Sequence, residues 1–245
     1  MDLITESKIY ERLPLIYNYI MRSVNYSLWA KYIYSLVKDD IAGSSSVLEL
    51  GAGNCNFTNK LCSYFPNILA TDISRNMLIS GDGALLPRVC CDMKMLPFKS
   101  QFDLIYSCFD SVNYISSRKN LLSMFKQISK LLPDSGIFTF DASLEKNSLA
   151  YAKKPERSGT YKGIKFSQKS EYNLNTKIHK NTFILKLKSG EYFSEVHNQK
   201  IFSFETYFNL LELAGLRVRN CYEAFSFKQG SASSERVQFI IKKVK

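Results

Sequence analysis

A short apolar run, Val47-Leu48-Glu49-Leu50, carries one acid and stops at Gly51-Ala52-Gly53-Asn54. Two glycines so close let the backbone turn sharply and approach a ligand with no side chain in between. Asp72 ends the next apolar run, 21 residues after Gly51, and Asp92 follows a third. A carboxylate at the first position can accept both hydroxyls of a ribose, and one at the second can accept the exocyclic amine of adenine. Any one of these acids alone reads equally as a turn or cap residue. Three in order, each where a strand should end, mark the carboxyl edge at which open α/β sheets bind ligands. A dinucleotide site would want Gly-x-Gly-x-x-Gly, and Asn56 or Phe57 stands where the third glycine belongs.

These groups need a sheet to hold them. Val47–Leu50, Ile68–Thr71, Arg88–Cys91, Phe102–Cys108 and Gly136–Asp141 read as strands. Between them, Phe57–Phe65, a short helix capped by Ser74, and Leu121–Leu132 read as helices. Strand alternating with helix predicts a parallel, doubly wound sheet covered on both faces. Upstream, Tyr10, Leu13, Tyr17, Ile20, Val24, Trp29, Ile33 and Leu36 recur at near-helical spacing, which predicts helix over residues 8–38, broken near Pro14 and Ser23–Ser27.

From Tyr161 to Phe202 the pattern changes to alternating polar and apolar residues, with a hairpin-like turn at Lys188-Ser189-Gly190-Glu191. This predicts an antiparallel insertion, the kind of addition that sets specificity on α/β scaffolds. Phe204–Ala214 then reads as a helix ended by Gly215, and Leu216–Cys221 and Val237–Val244 as closing strands. The divisions are a helical lid over 1–42, a ligand-binding core over 43–150, a substrate insertion over 151–203 and the rest of the core over 204–245.

The chain has 245 residues, 45% of them hydrophobic and 22% charged, as in a globular domain. Its net charge of +11 is uneven. Residues 1–150 hold 15 Lys/Arg against 14 Asp/Glu, and residues 151–245 hold 18 against 8. Such an excess favours an anionic partner, either a small molecule or RNA, although a solvated basic face would read the same way. No run approaches a membrane span, and the first residues lack the basic and apolar regions of a signal peptide. The six cysteines form no CxxC pair, and no metal-ligand cluster is visible. A cytoplasmic protein is expected.

The run Glu49-Leu-Gly-Ala-Gly, with Asp72-Ile-Ser-Arg-Asn-Met77-Leu, Asp92-Met-Lys-Met-Leu-Pro-Phe98 and Phe102-Asp-Leu-Ile-Tyr, resembles the class I S-adenosylmethionine (SAM)-dependent methyltransferases. Phe109-Asp110-Ser111-Val112-Asn113-Tyr114-Ile115 is similar to a segment of a bacterial small-molecule subgroup related to glycine/sarcosine and aminosugar N-methyltransferases. Tyr17, Tyr26-Ser-Leu-Trp29, Glu195-Val-His197 and Glu235-Arg236 extend the resemblance over nearly the whole chain. Where the subgroup often has Tyr-Asp this chain has Tyr17-Asn18, and Lys200 stands where it often has arginine.

The resemblance implies a Rossmann-like class I methyltransferase sheet, helices on both faces, a small antiparallel β insertion, and SAM as cofactor. It implies that Gly51, Ala52, Gly53 and Asn54 line the methionine end, with Glu49 holding the loop. It implies that Asp72 takes the ribose, beside Ser74, while Ile73 and Met77 pack on adenine and Asp92 and Met93 read its edge. The Cys108 carbonyl and Phe109 would lie beneath the methionyl chain, Arg22 would meet its carboxylate, and Tyr17 and Trp29 would complete the site. The reaction would be methyl transfer to N or O of a small acceptor, with Tyr114 and Asn113 orienting it. His197 would be the base, being a histidine in the insertion over the acceptor. An RNA methyltransferase is the second reading, motivated by aromatics among the lysines (Tyr161, Phe166, Tyr172, Phe183). A non-catalytic SAM-binding protein is the third.

Overall fold

The apolar runs do become strands, and the buried ones assemble into one sheet of seven. In the computed structural model, which describes residues 4–81 and 86–244, β1 (Ile4–Glu6), α1 (Pro14–Ile20) and α2 (Tyr26–Val37) precede β2 (Val47–Leu50). Then follow α3 (Asn56–Leu61), β3 (Ile68–Asp72), α4 (Arg75–Ser80), β4 (Arg88–Cys90), β5 (Leu104–Ser107), a 3-10 turn over Ser111–Tyr114, α5 (Arg118–Leu131) and β6 (Ile137–Ser143). The large sheet has the order β4-β3-β2-β5-β6, with every pair parallel. It is extended at the β6 edge by β12 (Arg236–Lys243), which runs antiparallel to β6 and to β11 (Leu216–Glu223). β2 lies between β3 and β5, so the order reverses there, and a crevice opens at the carboxyl ends.

Both faces are covered. Leu121, Met124, Phe125 and Ile128 of α5, at helical spacing, join Tyr207, Leu210 and Leu211 of α7 (Phe204–Glu212) against Phe138 and Phe140. Trp29, Ile33 and Leu36 of α2 and Phe57 and Leu61 of α3 pack on the opposite face with Leu104 and Tyr106. Gly215, at φ +73°, supplies the left-handed residue that ends α7.

The insertion is a second sheet. After α6 (Glu145–Ala152), β7 (Glu156–Tyr161), β8 (Ile164–Asn173), β9 (Ile178–Lys186) and β10 (Tyr192–Lys200) form an antiparallel meander. Its inner face buries Phe166, Phe183 and Leu185 against Leu13, Ile16 and Ile20, so α1 is clamped to the insertion.

The expectation of helix over residues 8–38 is corrected. Residues 4–6 instead form β1, which pairs in parallel with β10. Residues 7–13 are not regular structure, with Tyr10 at φ 56°, and helix begins only at Pro14, whose fixed φ and missing N–H suit a first turn. The near-helical spacing of Tyr10 and Leu13 reflects packing without helix: both pack against the cluster under the insertion, and Tyr10 also lines the crevice. The Asn25 side chain accepts the Leu28 N–H at 2.9 Å and starts α2.

Candidate active site

At the end of β2 the chain turns through Gly51 (φ +76°) and Gly53 (φ +56°). A Cβ on Gly51 would lie 2.8 Å from the Cβ and Oγ of Ser111, and one on Gly53 would lie 3.2 Å from the Met77 Cε. The Ala52 N–H donates to the Thr71 carbonyl at 2.8 Å, and the Asn18 amide oxygen accepts from the side chains of Asn54 (2.7 Å) and Asn56 (2.9 Å). The loop is thereby held open from β3 and from α1, leaving a trough free of side chains.

Asp72, at the end of β3, accepts the N–H of Gly53 and of Ser74, each at 2.8 Å. Burial raises its carboxyl above the usual range, and those two donors pull against the shift. Asp92, after β4, accepts the Lys94 N–H at 2.8 Å and pairs with its ammonium at 3.2 Å. Asp72, Ile73, Met77, Asp92 and Met93 line one continuous cavity with the glycine loop. Ile73 is 60% exposed although it lines that cavity, so apolar surface is left open for a flat partner. Glu49 forms part of the floor: it is buried, it accepts from the Thr58 hydroxyl at 2.5 Å, and burial pushes its carboxyl up to about 7.

The same cavity has an aromatic wall made by Tyr10, Tyr17, Tyr26, Phe109 and Tyr114, with Ile9 beside it. The Tyr10 and Tyr114 hydroxyls are 2.8 Å apart, and Tyr114 Oη is 3.2 Å from His197 Nδ1. His197 Nε2 in turn lies 3.3 Å from Glu195 Oε2. Burial pushes both phenols well above their ordinary value, so neither stands as a phenolate. Phe109 (φ 62°) and Asp110 (φ 51°) are consecutive left-handed residues.

The fold that carries this cavity is shared with known proteins. Residues 47–136 match the methyltransferase domain family. Residues 47–136 are a methyltransferase domain, on a fold shared with SAM-dependent methyltransferases. Over 97% of its length it is 25% identical to a methyltransferase-named protein of Bacillus subtilis (strain 168), YqeM, 98% of which is covered. Its fold is similar to that of a SAM-dependent methyltransferase from Clostridium acetobutylicum ATCC 824, at TM-score 0.80 and 23% identity, over 96% of this chain and 99% of that one. It is also similar to the sugar N-methyltransferase KedS8 from Streptoalloteichus sp ATCC 53650, at TM-score 0.73 and 16% identity, over 100% of this chain and 96% of that one.

In this methyltransferase domain the cavity gathers Glu49, Gly51, Ala52, Gly53, Asn54, Asp72, Ile73, Met77, Asp92 and Met93, together with Tyr17, Phe109 and Tyr114. The residues present fit SAM. The trough has room for the methionyl chain, Asp72 for ribose hydroxyls, and Asp92 for the adenine amine between apolar walls.

Other expected residues stand elsewhere. Arg22 is exposed in the turn between α1 and α2, where it donates to the Tyr19 carbonyl at 2.7 Å and lies over the Tyr19 ring, so its expected place in the cavity is corrected. Trp29 is buried behind Phe109, with ring centroids 3.9 Å apart, and supports the wall without forming it. The Cys108 carbonyl is taken by the Ser111 hydroxyl at 2.8 Å. Ser74 caps α4 through the Met77 N–H and donates to the Tyr10 carbonyl at 3.1 Å. His197 is buried behind Tyr114 and does not line the cavity. Asn113 is buried and joined to Ser143 and the Lys200 carbonyl, which makes it a strut between the two sheets.

Sequence reasoning missed Ile9, Tyr10, Tyr26, Phe57, Cys91, Lys94, Ser111 and Ile115 as lining residues. Ser111 carried a signal, since it sits in the Asp-Ser-Val-Asn-Tyr segment. The aromatics among the lysines are not open platforms: Phe166 and Phe183 are in the core, and the Tyr172 hydroxyl is bonded to Glu145 at 2.8 Å. Among the described residues no helix is long and apolar enough to cross a membrane.

Proposed function

We propose that this methyltransferase acts on a nitrogen or oxygen of a small acceptor, held between the N-terminal segment and the insertion. One observation carries the reading. One wall of the cavity is formed by Tyr10, Tyr17 and Tyr114 and backed by His197, which suits a compact polar molecule better than a strand of nucleic acid. SAM, when bound, supplies an activated methyl group on a sulfonium. The protein then has to align the acceptor and exclude water. The glycine trough, Asp72 and Asp92 would fix the cofactor's position. The phenols would orient the acceptor, and His197 would receive its proton through Tyr114. KedS8, similar in fold, is a sugar N-methyltransferase, which supports an amine as the first class to try. The basic excess of residues 151–245 supports an acceptor that also carries negative charge.

The test is methyl transfer from labelled SAM to a panel of amino acids, aminosugars and hydroxy acids, run beside total RNA. Turnover on a member of the panel is expected. Label entering RNA alone, with binding that falls steeply as salt is added, would replace this reading with the nucleic-acid one.

A further inference from the structure

The four side chains at the aromatic wall form a hydrogen-bond chain whose direction can be worked out from its far end. Glu195 is buried, and its carboxylate accepts the backbone N–H of Tyr10 at 2.9 Å, of Leu13 at 2.8 Å, and of Arg12. A group surrounded by three N–H donors acts as an acceptor. The His197 Nε2 facing it therefore carries the hydrogen, and in the neutral ring Nδ1 is the lone-pair nitrogen. Tyr114, 3.2 Å from Nδ1, must then donate to it, and its oxygen is left to accept from Tyr10, 2.8 Å away. A hydroxyl has one hydrogen, and that of Tyr10 is now spent. What Tyr10 offers to the cavity is an oxygen lone pair.

We infer that Tyr10, not His197, is the catalytic residue that meets the acceptor: its oxygen takes a hydrogen bond from an N–H or O–H of the substrate and passes the proton through Tyr114 to His197. This rests on the small-acceptor reading above. The acceptor's lone pair forms the bond to the methyl carbon while the C–S electron pair leaves with sulfur. The acceptor's proton moves to Tyr10, that of Tyr10 to Tyr114, and that of Tyr114 to His197 Nδ1, and His197 later returns it to water by the same route. The relay selects for acceptors that present a donor hydrogen beside the methylated atom, so a fully substituted amine is a poor substrate. Tyr10 itself is held in a left-handed conformation, with its N–H on Glu195, its carbonyl on Ser74 and its ring edge-on to His197 at 4.6 Å. The carboxylate that fixes the histidine thus also latches the N-terminal segment, so the relay is complete only when that segment is docked.

Two measurements test this, one of them without an acceptor. The chain has two histidines, so a His179→Gln background leaves His197 as the only imidazole, and long-range 15N–1H correlation reads its tautomer directly. The expected neutral form carries hydrogen on Nε2. Hydrogen on Nδ1 would reverse the chain and overturn the proposal. In the second, Tyr10→Phe keeps the ring and removes the hydroxyl. With the best amine of the panel above, kcat is expected to fall roughly 100-fold while KM and SAM affinity stay within about threefold. Wild-type kcat in Tyr10→Phe would overturn the role of Tyr10. Wild-type protein that binds SAM yet methylates nothing in the panel would instead sink the small-acceptor reading, and the tautomer would still decide the relay.

Discussion

The backbone N–H of Gly53 donates to the carboxylate of Asp72 at 2.8 Å, so the glycine turn after β2 and the acid ending β3 are one unit. Asp72 therefore shapes the loop as well as standing where the proposed reading puts the ribose. Asp72→Ala removes the partner of the Gly53 and Ser74 N–H groups together with the carboxylate proposed for the ribose. Losing two hydrogen bonds to a charged group should weaken SAM binding roughly 100-fold or more by calorimetry. Unchanged affinity would remove Asp72 from the site. Asp72→Asn should also be impaired, because its NH2 would confront one of the two backbone donors.

Gly51 should tolerate no side chain. Alanine there must adopt φ +76°, and its Cβ would sit 2.8 Å from Ser111, whose hydroxyl is anchored on the Cys108 carbonyl. Gly51→Ala should cost about 1–3 kcal/mol in chemical denaturation and lower SAM affinity at least tenfold. Adding Ser111→Gly relieves the collision but not the backbone strain, so the double variant should recover only part of both losses. A stable, tightly binding Gly51→Ala would mean that the turn is more adaptable than its contacts imply.

The cofactor end of this site was legible in the sequence because its chemistry is local. Each group, from Glu49 to Met93, lies in a strand or within a few residues of its end, and strands declare themselves by short apolar runs. The acceptor end was not legible, because it is assembled from distant segments. Tyr10 meets Tyr114 across 104 residues and Glu195 across 185. Its environment depends on β1 pairing with β10, which three exposed residues do not announce. Arg22 failed for the opposite reason: a motif placed it near a site, but an exposed arginine in a turn takes the nearest carbonyl and ring. His197 was found by type, and its burial behind two phenols could not be read from neighbouring residues.

Glu49 should make stability depend on pH. Burial raises its folded carboxyl to about 7, against an unfolded value near 4.5. Protons are therefore bound more tightly in the folded state. The resulting stability is fully present below about pH 4.5 and is lost as pH rises through about 7, by roughly 3 kcal/mol. Glu49→Gln keeps the shape and abolishes this slope. In thermal denaturation without cofactor, the variant should match wild type near pH 4 and exceed it increasingly toward pH 7. Parallel curves for the two proteins would show that Glu49 titrates normally.

Arg236 should be the clamp on the strained turn under the acceptor. Its guanidinium bonds both Asp141, fully buried on β6, and Asp110, whose own N–H donates to Asp141 at 2.9 Å. Phe109 and Asp110 are both left-handed, a conformation that bulky residues keep only when their surroundings impose it. Arg236→Met would leave Asp141 buried opposite an apolar chain, with Asp110 close by. The expected loss is about 3 kcal/mol, accompanied by weaker SAM binding as the Phe109 wall relaxes. Replacing both members, as Arg236→Met with Asp141→Leu, removes the stranded charge and should restore most of the stability, since apolar substitutes often match a buried pair. SAM affinity should stay low in the double variant, because nothing then holds the Asp110 N–H. If affinity returned along with stability, the turn would not depend on the clamp.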